Sequence, residues 1–265
     1  MSFAFIPIRL AVVTLFTLGN GLCGLSALLF MLLFPGEAGV VFAGWMILLG
    51  FGLDLLDGLA ARALGVQGRF GGELDSLCDA ITFGVVPAIL IVKPYGESIF
   101  ANGGTQDMIP IYAASAIYLS AVLIRLARFN ATVEPNSVQG HLWFTGLPSP
   151  VAALWVGSFV IMTTLSYWET PLGDIPSPPL WGAALGAIVI AGLMVSKLPY
   201  ADLPKHYVKG SRSKWSLLPW AILMFFVTPV VVVFLFFSVY LLSPAVSVLR
   251  KKPTMMEHVS ASRQD

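Results

Sequence analysis

From Leu10 to Leu33 the chain carries no charged residue, and further apolar runs follow at about 40–62, 72–92, 109–128, 150–166 and 179–197, before a longer one at about 215–248. A hydrocarbon core about 30 Å thick takes about 20 residues of helix to cross. Inside it every backbone N–H and C=O must be bonded within the protein, which leaves helices and closed barrels. The period-two alternation of a barrel strand is missing. The fold class predicted is therefore all-α: a polytopic membrane helix bundle with six core transmembrane helices plus one or two C-terminal ones. The composition agrees, since 11% of the residues are charged against about 25% in an ordinary soluble domain.

Basic residues orient the bundle. With one helix per run, Arg9, Arg62, Arg69, Arg125, Arg128, Lys197, Lys205, Lys209, Arg212 and Lys214 fall on one side, and the opposite loops hold little beyond Lys93. That side is expected to be cytoplasmic. A single last crossing would put Arg250, Lys251 and Lys252 on the wrong side, whereas two short helices turning near Thr228 and Pro229 would bring them back. Eight spans are thus favoured over seven. Connections are short, so residues 1–248 read as a single membrane-embedded domain and 249–265 as a polar cytoplasmic tail. The N-terminal run shows no convincing small-residue cleavage site and reads as a retained first helix. Both termini and the functional end then face the cytoplasm, at the inner membrane if the source is bacterial.

Against this background four aspartates stand out. Asp54 and Asp57 lie near the end of one apolar run, and Asp75 and Asp79 at the start of the next. At about 2.5–3.5 kcal/mol each on insertion scales, together they impose a penalty on the order of 10 kcal/mol. An ion-pair network would need as many cations, and only Arg62 and Arg69 are near in sequence. Asp54, Asp57 and Ala61 share one helix face, with Gly58 adjacent, and Gly71, Asp75 and Asp79 recur every four residues. A short connection lets both pairs converge as an oxygen-rich site for hard cations, Mg2+ or Mn2+, two ions in all. Two such ions suit phosphoryl transfer. Gly58 and Gly71 would let a base or phosphate approach the backbone, although glycine also serves helix packing. Arg62 can hold a phosphate or carboxylate, or snorkel to the interface.

The stretch reads DxxDGxxAR, eight residues, then GxxxDxxxD, and all eight fixed positions are present. This resembles the CDP-alcohol phosphatidyltransferase superfamily, helical membrane enzymes that move a phosphatidyl group from a CDP-linked lipid to an alcohol and release CMP. The resemblance implies that Asp54, Asp57 and Asp75 are metal ligands, and that Asp79 is a metal-proximal ligand and general base. It assigns Gly58, Ala61, Arg62 and Gly71 to the nucleotide. TLGNGLCG at 17–24, RLARFN at 125–130, FTGLPSP at 144–150 and LMVSKLPY at 193–200 resemble the phosphatidylserine synthase branch. The likeness is weak in the last helices and tail. It implies CDP-diacylglycerol and L-serine as substrates, the lipid bilayer as partner, and a homodimer.

Arg125 and Arg128, three apart, can reach one headgroup region, where one could bind the serine carboxylate or a donor phosphate. The alternative for both is anchoring at the interface. Asn130 and Asn20 could bond substrate or join helices. Pro148 and Pro150 shape the start of the fifth span, and Ser149 either caps that helix or touches substrate. Cys23 and Cys78 read as small core residues. His141, His206 and His258 share no ligand spacing, and no serine-nucleophile elbow is visible. No basic cluster with interleaved aromatics points to nucleic acid.

In the expected reaction Asp79 removes the serine hydroxyl proton and the oxygen attacks the diacylglycerol-linked phosphorus directly. A phosphatidyl-enzyme intermediate on a motif carboxylate is the other route. The rival acceptors are glycerol phosphate and inositol phosphate. From another class, a cation transporter would also bury carboxylates, but near mid-membrane and in broken helices repeated in both halves.

Overall fold

The computed structural model describes residues 8–101, 108–132, 143–165, 179–201 and 229–250, which form a helix bundle with one small two-stranded ribbon. Helices α1 (Ile8–Leu33) and α2 (Glu37–Leu64) form an antiparallel hairpin. Gly65, at φ 64°, ends α2 in the left-handed conformation that glycine takes without strain, its N–H turned back onto the Ala61 carbonyl. Four residues later α3 (Arg69–Asp79) begins at the same end of the bundle.

A π-helical turn, Ala80–Val85, joins α3 to α4 (Val86–Ala101). The cause is legible in the chain. Pro87 has no N–H to offer the carbonyl four residues back, that of Phe83. The Tyr118 hydroxyl takes that carbonyl instead, at 3.1 Å. Freed backbone groups in membrane helices are commonly satisfied in this way.

The remaining elements are α5 (Ile109–Thr132), β1 (Trp143–Thr145), α6 (Ser149–Leu165), α7 (Leu180–Val195), β2 (Pro199–Ala201) and α8 (Pro229–Arg250). Strands β1 and β2 pair antiparallel, Phe144 opposite Tyr200. Among the described residues four segments are long and apolar enough to cross a membrane: Ile8–Leu33, Glu37–Leu64, Arg69–Gly96 and Ile109–Ala131. The apolar helices in α6, α7 and α8 are shorter. At 1.5 Å per residue, α6 and α7 reach about 24–26 Å, just under the core thickness. Their inner faces pack among the long helices: Ala152, Leu154, Ile161 and Met194 join Ile47, Phe83, Ile111 and Val122 in the interior. Trp155 stacks on Phe159 and donates to the Ser238 hydroxyl at 3.0 Å, fixing α8 against α6.

The polytopic helix bundle thus stands: among the described residues four segments are long enough to span, and three further apolar helices are shorter. Pro229 opens α8, where its missing N–H costs least. The stretch 215–228, on which seven or eight spans turns, lies outside the described residues. So do Lys205, Lys209, Arg212 and Lys214, the three histidines, and the tail from Lys251. Helix α8 itself runs two residues past the boundary expected at 248.

Candidate active site

Where α2 ends and α3 begins, carboxylate oxygens of Asp54, Asp57 and Asp75 all lie within 4.8 Å of one another. The helical spacing produces this directly. Asp54 and Asp57 point off one face of α2, and the four-residue turn lays α3 alongside with Asp75 toward them. Among the described residues no basic side chain pairs with any of the three; the ion pair nearby, Arg69–Glu73 at 3.7 Å, is an exposed i,i+4 contact. Asp57 Oδ2 and Asp75 Oδ1 are buried without a hydrogen-bond partner. Burying unpaired acceptors is costly unless something cationic is meant to sit there. The Asp54 and Asp75 carboxyls are close enough to share a hydrogen bond. Thr17, buried on α1, lies near the Asp57 carboxyl and donates its hydroxyl to the Val13 carbonyl at 3.2 Å.

Asp79 is placed differently. It lies one helical turn deeper, outside the group of three, and is buried. Its Oδ1 accepts a 2.9 Å hydrogen bond from the Asn20 side-chain amide of α1.

The glycines of the motif border open space. A side-chain carbon at Gly71 would meet nothing within 4 Å, and one at Gly58 only the Arg62 guanidinium at 3.7 Å. Neither glycine is there to let helices touch. Arg62 is exposed and bends back so that Nε donates to the Gly58 carbonyl at 2.9 Å. Ala61, half-buried, follows on the same face as Asp57. By contrast, carbons at Gly24 and Gly50 would come within 2.6 and 2.7 Å of Thr82 atoms, so these glycines do serve close packing.

On the other flank the segments RLARFN, FTGLPSP and LMVSKLPY meet. Arg125 Nη1 donates to the Ser149 hydroxyl at 2.8 Å, while its Nε is buried without a partner. Arg128 instead reaches the end of α7, donating to the Val195 carbonyl at 3.2 Å and to Met194 at 3.5 Å. Those are carbonyls a helix C-terminus leaves unsatisfied. Asn130 ties α5 to α3, accepting from Ser76 at 3.0 Å and donating to Glu73 at 3.2 Å. Gly146 has φ 84°, and a side-chain carbon there would collide with the Met194 carbonyl. Its N–H bonds the Leu198 carbonyl at 2.8 Å, and that of Leu147 bonds Leu193 at 3.0 Å. The glycine therefore fixes how α6 starts against the end of α7.

Sequence reasoning passed over Thr17 and Tyr118. Thr17 lies three residues before Asn20 and thus on the same face, a signal that was present. For Tyr118 the only hint was Pro87, whose unserved carbonyl needed a partner.

The profile of the CDP-alcohol phosphatidyltransferase family matches residues 10–196. The CDP-diacylglycerol–serine O-phosphatidyltransferase of Bacillus subtilis is 31% identical over 201 residues, which are 76% of this chain and 96% of that protein. The enzyme of the same name from Helicobacter pylori (strain J99) is 32% identical over 203 residues, 76% of this chain and 77% of that protein. That of Mycobacterium leprae is 30% identical over 160 residues, 58% of this chain, and the match spans about half of its length, 49%.

Proposed function

The chain belongs to the CDP-alcohol phosphatidyltransferase family, and on that premise we propose that it is an integral membrane enzyme that transfers the phosphatidyl group of CDP-diacylglycerol to L-serine, giving phosphatidylserine and CMP. The observation that carries the reading is the group of three carboxylates with orphaned buried oxygens, set beside two glycines that border open space. The acceptor is read from the names of the relatives and from Arg125.

The donor set is all carboxylate oxygen, which suits Mg2+ or Mn2+. Asp54, Asp57 and Asp75 would hold the metal. Asp79 stands nearby and is not among the three. Bound there, the cations would neutralise the donor pyrophosphate and the charge that develops on the departing CMP.

The chain's own residues do the rest. Gly58, Ala61 and Gly71 leave room for the nucleotide, and Arg62 at its edge offers guanidinium donors to a phosphate. The acyl chains stay between helices, since the donor enters sideways from the lipid. L-Serine arrives from the aqueous end, its carboxylate on Arg125. Asp79 takes the serine hydroxyl proton as that oxygen attacks the diacylglycerol-linked phosphorus. The new P–O bond to serine forms as the bond to the CMP oxygen breaks, and CMP leaves with that electron pair. The basic residues near these helix ends support a cytoplasmic site.

Arg128 and Asn130 are engaged with protein groups, so Arg125 is the headgroup candidate left with an orphaned donor. That arrangement favours one carboxylate over the phosphate of glycerol phosphate or inositol phosphate. The test is incorporation of radiolabelled serine into lipid by purified protein with CDP-diacylglycerol and Mn2+ or Mg2+, run beside both phosphorylated acceptors and an Asp75→Asn control. Label from serine alone, lost in the variant and on chelation, supports the proposal. Metal-dependent CMP release with another acceptor keeps the family chemistry and discards serine. No CMP release with any acceptor would overturn the transferase reading.

A further inference from the structure

Asn20 is fully buried in α1, and its surroundings are built to bring it onto Asp79. A side-chain carbon at Gly21 would come within 2.9 Å of Cys78 Sγ, and one at Gly24 within 2.6 Å of Thr82 Oγ1. The backbone of α1 therefore lies directly on α3 and the π-helical turn. From behind, Gly50 of α2 admits the Asn20 side-chain oxygen Oδ1, which would stand 2.9 Å from a carbon added there. The Thr82 hydroxyl donates to the Asn20 backbone carbonyl at 2.8 Å, locking the same turn from the other side.

The way the amide is used is informative. A side-chain amide that merely joined two helices would be expected to satisfy both of its ends, because an unpaired buried polar atom is costly. Asn20 leaves Oδ1 buried with no partner while Nδ2 donates to Asp79 Oδ1. Its one side-chain bond goes to the carboxylate that stands outside the group of three.

We propose that Asn20 is a positioning residue for the transfer: its amide clamps Oδ1 of Asp79, leaving Oδ2 to face the acceptor hydroxyl and keeping this carboxylate from turning into the Asp54, Asp57 and Asp75 group. This rests on the reading of Asp79 as proton acceptor. A carboxylate free to rotate about its last bond would present either oxygen or swing toward a bound cation. The amide fixes it, and misplacement of a reacting group by about 1 Å can cost about 100-fold in rate.

The experiment is a kinetic cycle on purified full-length protein with Mn2+, CDP-diacylglycerol and serine, using Asn20→Ala, Asp79→Asn and the double variant, with thermal midpoints for each. Asn20→Ala is expected to lower kcat about 10- to 100-fold, with KM for CDP-diacylglycerol and the Mn2+ activation curve within about twofold of the parent. In the Asp79→Asn background it should cause no further loss, because the clamp then has nothing to hold. Equal losses in both backgrounds, or a loss of kcat that follows the thermal midpoint, would overturn the proposal in favour of a packing role. Should the alanine variant not fold, Asn20→Leu keeps the volume and removes the donor; parental kcat in that variant overturns the clamp. Near-normal turnover in Asp79→Asn would instead remove the base itself. An inactive Asp79→Asn beside a fully active Asn20→Leu discards the positioning role alone.

Discussion

The Tyr118 hydroxyl donates to the Phe83 carbonyl at 3.1 Å, at the point where Pro87 can offer no N–H. This bond secures the π-helical turn that separates the aspartate stripe of α3 from the apolar face of α4. Tyr118 is fully buried, so water is not at hand to take its place. Tyr118→Phe should therefore destabilise the protein by about 0.6–1.7 kcal/mol, the range measured for hydrogen bonds between membrane helices. A lower thermal midpoint in detergent is the expected result, and an unchanged midpoint would show that the carbonyl finds another donor.

The separation of Asp79 from the other three aspartates makes their variants distinguishable. Asp75→Asn removes a ligand from the group within 4.8 Å and should weaken Mn2+ binding, read by the loss of free Mn2+ signal in spin resonance, together with activity. Asp79→Asn should keep most of the Mn2+ affinity and lose turnover about 100-fold or more, the usual share of a general base. Equal loss of metal binding in the two variants would place Asp79 among the ligands. Chelation should stop turnover of the parent, and added Mn2+ should restore it.

How far the sequence carried the reading differs by region. The long apolar runs were legible because water and lipid sort residues by a rule that needs no tertiary detail: α1, α2, α5, α6 and α7 fall within a few residues of expectation, whereas the run expected at 72–92 is split into α3 and α4 by the π-helical turn and continues to Ala101. Asp54, Asp57 and Asp75 were legible as neighbours because helical spacing and one short turn determine where they point. The fate of Asp79 was not, since its partner Asn20 lies 59 positions away. Only the packing of α1 on α3 and the π-helical turn, through Gly21 and Gly24, brings the two together. Arg125 and Arg128 looked alike in the sequence, but their roles separate in three dimensions according to which helix end each meets.

The motif glycines and the packing glycines should respond oppositely to the same small change. Gly71→Ala meets open space and gains up to about 1 kcal/mol of helix propensity, so its thermal midpoint should hold or rise. Its KM for CDP-diacylglycerol should rise, because the added methyl intrudes where the nucleotide is read to lie. Gly50→Ala drives a methyl against Thr82 and Asn20 and should cost about 1–3 kcal/mol. If Gly71→Ala left both the midpoint and KM unchanged, the nucleotide would have to bind elsewhere.

Arg125 and Arg128 provide the sharpest comparison for the acceptor. Lysine keeps the charge at either position but loses the planar fork of donors. At Arg128 the fork serves the Met194 and Val195 carbonyls, so Arg128→Lys should act mainly on stability, through the end of α7. At Arg125 one arm is held by Ser149 and the buried Nε is unpaired, which leaves donor capacity for a carboxylate. Losing a charge-assisted hydrogen bond costs about 1.5–3 kcal/mol, equivalent to about 10- to 100-fold in binding. Arg125→Lys should therefore raise KM for serine by about that factor, leave KM for CDP-diacylglycerol nearly unchanged and lower the midpoint little. Ser149→Ala should give a smaller rise of the same kind, because the guanidinium loses the hydroxyl that orients it. A serine KM that follows Arg128 rather than Arg125 would move the carboxylate to the end of α7 and leave the orphaned Nε without a role in acceptor binding.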